Sequence, residues 1–414
     1  MNEIETWLES RIGLNFRSGL ARMIRAIDLL HHPEANYPMI HVTGTNGKGS
    51  TIAFMSQLFV QHDKKVGTFT SPHMTSIHDR ICINHEPIPD KDFIRIGHCV
   101  QTMERQLLQT HSPLSYFEIL TLMALLYFKE EQVDVALIEV GIGGLLDTTN
   151  VVIGDIAIVT SVGLDHQETL GDSIAAIAEQ KTGIFKENKI AVIGPLIEEA
   201  RRLCELRANA LGVDLYEYGR DFSFSKEQFS NQDEMIVDLR LGLNGTYQEE
   251  NAAVALQGFL LFMKQQNWQP QVKWIRKALQ QTNWAGRLEY FEGGIYLDGA
   301  HNLPALSRLV EFIRQQEQKE IFVLFGALRR KNYQGMLSYL TQELPEARLT
   351  ITTFENDGAV GERDLTAENY VSSYQEFIEQ FIRNSTDNQL LFVTGSLYFI
   401  AEVRAFLLEK ELTA

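Results

Sequence analysis

Three kinds of material are scarce in this 414-residue chain. Cysteine is the first: Cys82, Cys99 and Cys204 stand far apart, with no C-x-x-C pair. That spacing favours free thiols in a reducing compartment over a disulfide framework or a zinc site. Long apolar runs are the second. The longest, ILTLMALLYF at 119–128, is too short to cross a bilayer and reads as a buried helix. Positive charge is the third: 37 Lys and Arg face 54 Asp and Glu, a net charge of −17. A nucleic-acid binder needs a basic face, so that class is set aside. An anionic small molecule is not excluded, because a local basic pocket can coexist with an acidic surface. The opening MNEIETWLES is acidic and lacks the apolar core of a signal peptide. A cytoplasmic chain with no membrane or nucleic-acid partner is expected.

What is present is ordinary globular material, 44% hydrophobic and 22% charged. At about 100–200 residues per domain, the length suggests two or three domains. YPMIHVTG reads as a short buried strand, followed by a glycine loop and a helix carrying Ile52, Met55, Leu58 and Phe59 at helical spacing. Strand-like runs such as KVGTFTS, VDVALIEVG, DIAIVTSVG and KIAVIG then alternate with helical runs such as SYFEILTLMALLYFKEE and IEEARRLCELRANALG. The spacing predicts a doubly wound, mostly parallel sheet covered on both faces. Leu215 to Leu241 reads as short alternating strands. At NWAGRLEYFEGG the alternation restarts, which predicts a smaller second α/β domain. The boundary is placed within 284–289, giving domains 1–285 and 286–414. ENDGAVGERD at 355–364 reads as a mobile loop.

The stretch HVTGTNGKGST, His41 to Thr51, nearly fits a phosphate-binding loop, but its glycines at 44, 47 and 49 depart from the G-x-x-x-x-G-K-[ST] spacing. Glycines there let backbone N–H groups turn inward around phosphate oxygens, and the next helix adds its positive N-terminal end. Lys48 would reach β/γ phosphates, and Ser50 or Thr51 could serve a magnesium ion. The alternative is a helix-capping turn. Glu139 ends the apolar run VALIEVG; a carboxylate there is costly unless it binds metal or is bonded to loop amides. His166 sits in SVGLDHQ after another strand, where a lone loop histidine is more often nothing than a ligand. Lys181 shares a helical stripe with Ile174, Ile177 and Ala178, so it points at the core. It needs a partner, a lowered pKa or covalent change, unless it snorkels past the helix end. Ser71 closes a strand at TFTSPH. The glycine loop, Ser71, Glu139 and His166 all fall at strand carboxyl ends, where parallel α/β sheets collect ligands. Oxygen ligands beside a nucleotide point to magnesium.

HVTGTNGKGS, SPH, EVGIGGLLDTTN, SVGLDHQETLG, NWAGRLE, LDGAHN and VTGS follow one another in an order and spacing that resembles the folylpolyglutamate synthase/dihydrofolate synthase family of the Mur ligase superfamily. The resemblance runs over nearly the whole chain. It implies a P-loop-type Mur-ligase central domain and a smaller Rossmann-like C-terminal domain. It implies an ATP-dependent ligase that phosphorylates the γ-carboxylate of a reduced folate and lets L-glutamate attack the acyl phosphate. By motif, Gly47, Lys48, Gly49 and Ser50 would hold the ATP phosphates. Asn251 would lie at the adenine, and Arg287, Asp298 and His301 would reach ATP from the linker and the second domain. Ser71 and Glu139 would ligate one of two Mg2+ ions and His166 the other. Lys181 would be carbamylated, joining Lys48 and His166 as catalytic groups. A monomer is expected.

The chain departs from the family pattern in places. Leu145 stands where arginine is usual, Gln180 replaces a glutamate beside Lys181, Tyr247 replaces a histidine, and Ala285 replaces a proline. HDRI at 78–81 stands for the commoner NERI, and LRRKN at 328–332 lacks the usual acidic residues. None removes an expected ATP or metal ligand. Two other readings stay open, a bifunctional enzyme that also converts dihydropteroate to dihydrofolate and a nucleotide-binding regulator without ligase activity; a peptidoglycan-type Mur ligase is disfavoured, because the phosphate loop begins by residue 44 and leaves no room for the N-terminal substrate domain expected there.

Overall fold

A computed structural model describes residues 2–13, 19–365 and 369–411. The chain divides into two compact units. The first comprises Met1–Ser71, Ile77–Gly242 and Glu249–Thr282; the second comprises Pro72–Ser76, Leu243–Gln248 and Asn283–Ala414. The division is therefore more than one cut, because two short stretches, Pro72–Ser76 and Leu243–Gln248, group with the second unit.

The first unit is built on eight strands: β1 (Met39–Thr43), β2 (Val66–Phe69), β3 (Ile81–Ile83), β4 (Glu86–Pro87), β5 (Val135–Glu139), β6 (Ile156–Val159), β7 (Ile190–Ile193) and β8 (Asp214–Glu217). They lie in the order β4-β3-β2-β5-β1-β6-β7-β8. From β2 to β8 every pairing is parallel; β3 and β4 add an antiparallel edge. The central strands MIHVT and VALIE are buried at every position. A parallel sheet covered on both faces demands this, and it is why these strands read as runs instead of alternating patterns. The helix Tyr116–Glu130 carries the long apolar run, with Ile119 to Leu125 all buried. Its start is fixed by a capping box in which Ser115 and Glu118 satisfy each other's backbone N–H groups. Eight phenylalanines of this unit, Phe54, Phe59, Phe69, Phe93, Phe128, Phe229, Phe259 and Phe262, are fully buried, each stabilising by roughly 1.5–3 kcal/mol.

The region Leu215–Leu241, read as short strands throughout, is divided. Its first residues belong to β8, the parallel edge of the main sheet. The rest forms an antiparallel trio, β9 (Phe222–Ser225), β10 (Gln228–Asn231) and β11 (Met235–Ile236). The strand reading holds, but the place of β8 in the main sheet was not legible, because DLYE is an edge strand with only Glu217 buried and has no apolar run.

The second unit holds β12 (Glu289–Phe291), β13 (Ile295–Leu297), β14 (Glu320–Phe325), β15 (Arg348–Thr352), β16 (Tyr370–Val371) and β17 (Gln389–Thr394). Their order is β12-β13-β17-β14-β15-β16, with only β12 antiparallel. Successive residues point to opposite faces. Val323 and Phe325 of β14 join Phe392 of β17 in one core cluster, while Leu324 joins Leu391 and Val393 in the other. Both faces are therefore filled, as a doubly wound sheet requires. The segment expected to be a mobile loop is tied down. Val360 N–H donates to the Ala327 carbonyl and Arg329 N–H to the Gly358 carbonyl, both at 2.8 Å. Ala359 and Val360 are buried, an anchor that a reading based on Gly, Asn and Asp content overlooks. No helix among the described residues is long and apolar enough to cross a membrane.

Candidate active site

The site of the first unit grows from neighbouring parallel strands. Because β2, β5, β1 and β6 run the same way, their carboxyl ends lie side by side. The register places Val42 opposite Glu139 and Thr43 opposite Val159. The residues following β1, β2 and β6, and the last residue of β5, therefore meet along one edge of the sheet.

After β1 the chain turns through Gly44–Gly47 into the helix Lys48–Gln61. Gly47 has φ +85°, a left-handed conformation, and a Cβ there would run into the Asn251 side chain. A Cβ on Gly44 would run into the Thr160 hydroxyl. Thr160 Oγ donates to the Asn46 carbonyl at 2.6 Å, and Asn46 N–H donates to Ser161 Oγ at 2.9 Å. The loop is thus held by the end of β6 and by Asn251. The helix start has no side-chain cap, so its first-turn N–H groups suit an anion. Lys48 Nζ folds over the loop and donates to the Gly44 carbonyl at 2.9 Å. Gly49 and Ser50 are buried in the same turn. Gly47→Ala is expected to lower the unfolding free energy by about 1–3 kcal/mol, from the left-handed backbone. Urea denaturation reads this directly.

Glu139 is 3% exposed, and one of its oxygens accepts the Ser71 N–H at 2.9 Å. The structure thus brings the ends of β5 and β2 together as the sequence suggested. His166 lies beyond β6 with a left-handed backbone, φ 51°, and an exposed ring 3.9 Å from Asp165 Oδ2. Among the described residues, no three His, Cys, Asp or Glu side chains gather closely enough to hold a metal alone.

Lys181 sits in the last turn of the helix Ile174–Thr182 and is 3% exposed. The core-facing stripe read from Ile177 and Ala178 holds. Burial, together with the nearby Lys48 charge, lowers its pKa to about 7; Asp165 and Asp147 oppose the shift. It does not snorkel to solvent.

The second unit carries its own cluster. Asp298 is buried at the end of β13, and burial pushes its carboxyl up while Arg287 pulls it down. It accepts the Leu288 N–H at 3.1 Å and the Ala300 N–H at 3.0 Å. Leu288 is a non-glycine residue at φ 47°, held in that turn by this bond. Arg287 is half-buried against Gly299, and His301 Nδ1 meets the Gly299 carbonyl at 2.8 Å. Asn302, read as strand-end turn chemistry, caps the helix Leu303–Arg314 by accepting the Ala305 N–H at 2.9 Å.

Sequence reading overlooked two groups. Thr160 ends a strand as Ser71 does, and the same strand-end argument would have found it. Asp147, within LLDTTN, carries no local signal of its own; it is buried and accepts N–H groups from Ile142 and Thr149.

The chain matches two family models: the Mur ligase middle domain over residues 42–257 and the Mur ligase glutamate ligase domain over 286–397. It is 34% identical over 402 residues to a folylpolyglutamate synthase of Lacticaseibacillus casei, covering 94% of each chain. It is 32% identical over 422 residues to a dihydrofolate synthase/folylpolyglutamate synthase of Bacillus subtilis, covering 97% of this chain and 98% of that one. Among solved structures, the apo form of L. casei FPGS superposes with a TM-score of 0.89 at 32% identity, covering 99% of this chain and 100% of that chain. An FPGS–AMPPCP–folate complex gives 0.86 at 33% identity with the same coverage. On the two domain matches and these relatives of nearly equal length, the chain belongs to the folylpolyglutamate synthase/dihydrofolate synthase family of Mur ligases, which are ATP-dependent ligases.

Proposed function

We propose that this chain adds L-glutamate to the γ-carboxylate of a reduced folate and its polyglutamates, with ATP supplying an acyl-phosphate intermediate and ADP and phosphate leaving. The observation that carries this is the row of strand ends in the first unit, where a glycine loop, a cation and a buried carboxylate share one edge, with the buried Lys181 near enough to feel the Lys48 charge. Gly47, Gly49 and Ser50 present backbone and hydroxyl donors to phosphate oxygens, and Lys48 offsets phosphate charge. Asn251, already packed on Gly47, is assigned to the adenine side. Arg287, Asp298 and His301 are assigned to nucleotide binding from the second unit. The FPGS complexes with AMPPCP, and with AMPPCP and folate, fit this assignment.

The donor set suits Mg2+. Glu139 is a hard oxygen donor at a buried strand end beside Ser71, the donor type that Mg2+ takes together with phosphates and water. Ser71 and Glu139 would hold one ion and His166 a second. Bound there, Mg2+ would neutralise phosphate charge and orient the transferring group. Lys181, with its pKa lowered to about 7, has a substantial neutral fraction at pH 7–8. Its amine can therefore add CO2, releasing one proton and leaving a carbamate. That change replaces a buried cation with an anion near the proposed metal site. A carbamate at Lys181, two ions, a monomeric state and a cytoplasmic location belong to this proposal.

Phosphate release tests it with purified protein, ATP, Mg2+, tetrahydrofolate and glutamate, compared with the same mixture lacking glutamate. Glutamate-dependent release is expected. Its absence, with ATP still bound, would favour a nucleotide-binding regulator. A second vessel offers dihydropteroate in place of tetrahydrofolate and reads whether that smaller acid is also accepted.

A further inference from the structure

Beneath the site lies a buried polar chain that the proposed chemistry does not use. His41, at the middle of the central strand β1, is fully buried, and its Nε2 lies 2.8 Å from Thr149 Oγ. Thr149 Oγ lies 2.6 Å from Asp147 Oδ1, and Asp147 is an acceptor already bonded by the Ile142 and Thr149 N–H groups. A hydroxyl has a single proton, and Thr149 gives it to Asp147. Thr149 must therefore accept from His41, so Nε2 carries the imidazole proton and Nδ1 is bare. Nδ1 has no partner and is buried, consistent with a neutral ring whose pKa burial lowers to about 3. Two residues along the same strand, Thr43 Oγ donates to the Gly143 carbonyl at 2.6 Å.

Both bonds fasten one loop, 141–150, to the strand that leads into the phosphate loop. The other side of that loop is fastened to the helix of Lys181. Leu145 N–H donates to the Gln180 carbonyl at 2.6 Å, and Asn150 donates to the Gly183 carbonyl at 3.2 Å. Contact is close enough that a Cβ on Gly183 would run into the Leu145 backbone, and one on Gly144 would lie 2.6 Å from the Gln180 carbonyl oxygen. A buried hydrogen bond in such a network fixes geometry more than it adds stability.

We propose that His41, Thr149 and Asp147 are positioning residues for the ligase reaction, holding loop 141–150 as a strut that sets the Lys181 helix against the phosphate-loop strand. This rests on the ligase reading above. It adds that the placement of Lys181 depends on a hydroxyl that touches neither substrate nor metal.

The test compares Thr149→Val, which keeps shape and removes the hydroxyl, with Thr149→Ser, which keeps the hydroxyl. His41→Phe is a second way to break the chain if Thr149→Val does not fold. Steady-state glutamate ligation is measured well below each variant's Tm. Hydrogen exchange is followed by mass spectrometry over 141–150 and 174–183. Thr149→Val is expected to lower kcat about 30-fold with the KM for ATP changed less than about threefold, the mark of misplaced groups. His41→Phe should lower kcat about fivefold, and Thr149→Ser should restore it to within about threefold. Exchange should quicken in both segments of Thr149→Val while β1 keeps its protection. Equal loss in the valine and serine variants, or unchanged exchange in the valine variant, would overturn the proposal. If the parent protein shows no glutamate-dependent turnover, the ligase reading fails instead, and the exchange pattern still decides whether the strut exists.

Discussion

Lys48→Ala lowers glutamate-dependent phosphate release by an expected factor of about a thousand or more, since transition-state charge on a transferring phosphoryl group depends on such a cation. The fold should survive. Lys48 is half-buried, and its one bond inside the loop, to the Gly44 carbonyl, is worth about 1 kcal/mol. A change of only a few degrees in Tm is expected alongside the activity loss. The substitution also removes the charge that helps depress the Lys181 pKa, so Lys181 should titrate higher in the variant. A variant that keeps more than about a tenth of the parent rate would remove Lys48 from the phosphoryl-transfer role.

Lys181→Met is expected to move stability and activity in opposite directions. Methionine fills a similar slender volume without a charge. In the folded protein Lys181 titrates near 7, against an ordinary value of 10.5. The unfolded chain therefore binds more protons between those two values, and stability rises with pH across that window. Below about pH 7 both states are protonated, and the whole cost of burying the cation is present. The methionine variant should gain on the order of 2–4 kcal/mol near pH 6 and progressively less toward pH 10. Activity should fall by at least about a hundredfold, because neither amine nor carbamate remains. Urea denaturation at pH 6, 8 and 10, in buffer freed of CO2, separates this from a simple packing change, which would be independent of pH. A destabilised variant at pH 6 would refute the account of Lys181 as a tolerated liability.

Much of this was legible because the signals are local. An apolar run between a strand-breaking glycine and a helical stripe declares a buried parallel strand, and β1 and β5 followed that pattern. Lys181 was legible as an anomaly because a cation at i+7 of a core-facing stripe either snorkels past the helix end or stays buried; burial is what the structure shows. The pairing of edge strand β8 with the main sheet and the anchoring of segment 356–360 were missed for the opposite reason. An edge strand is half-wet and shows no run, and two buried residues among turn formers leave no periodicity. The links His41–Thr149 and Thr43–Gly143 join residues about a hundred positions apart. Hydrogen bonds of that kind follow from how strands and loops stack, and no spacing in one chain encodes them.

The departures from the family pattern gain meaning against the structure. Leu145 replaces a usual arginine with an alkyl chain, but the work of that position in loop 141–150 is done by its backbone N–H on Gln180. Gln180 replaces a glutamate, but its carbonyl is the group in use. Both exchanges leave the strut intact while removing one charge of each sign.

At Leu288 a branched side chain occupies a left-handed turn, a conformation costing about 1–3 kcal/mol, and the acceptor of its N–H is the buried carboxylate of Asp298. Any molecule that draws that carboxylate away releases the turn as well. If Asp298 binds the nucleotide as proposed, its occupancy and the direction of the backbone through Leu288 would be reciprocal, each shifting the other by the same factor.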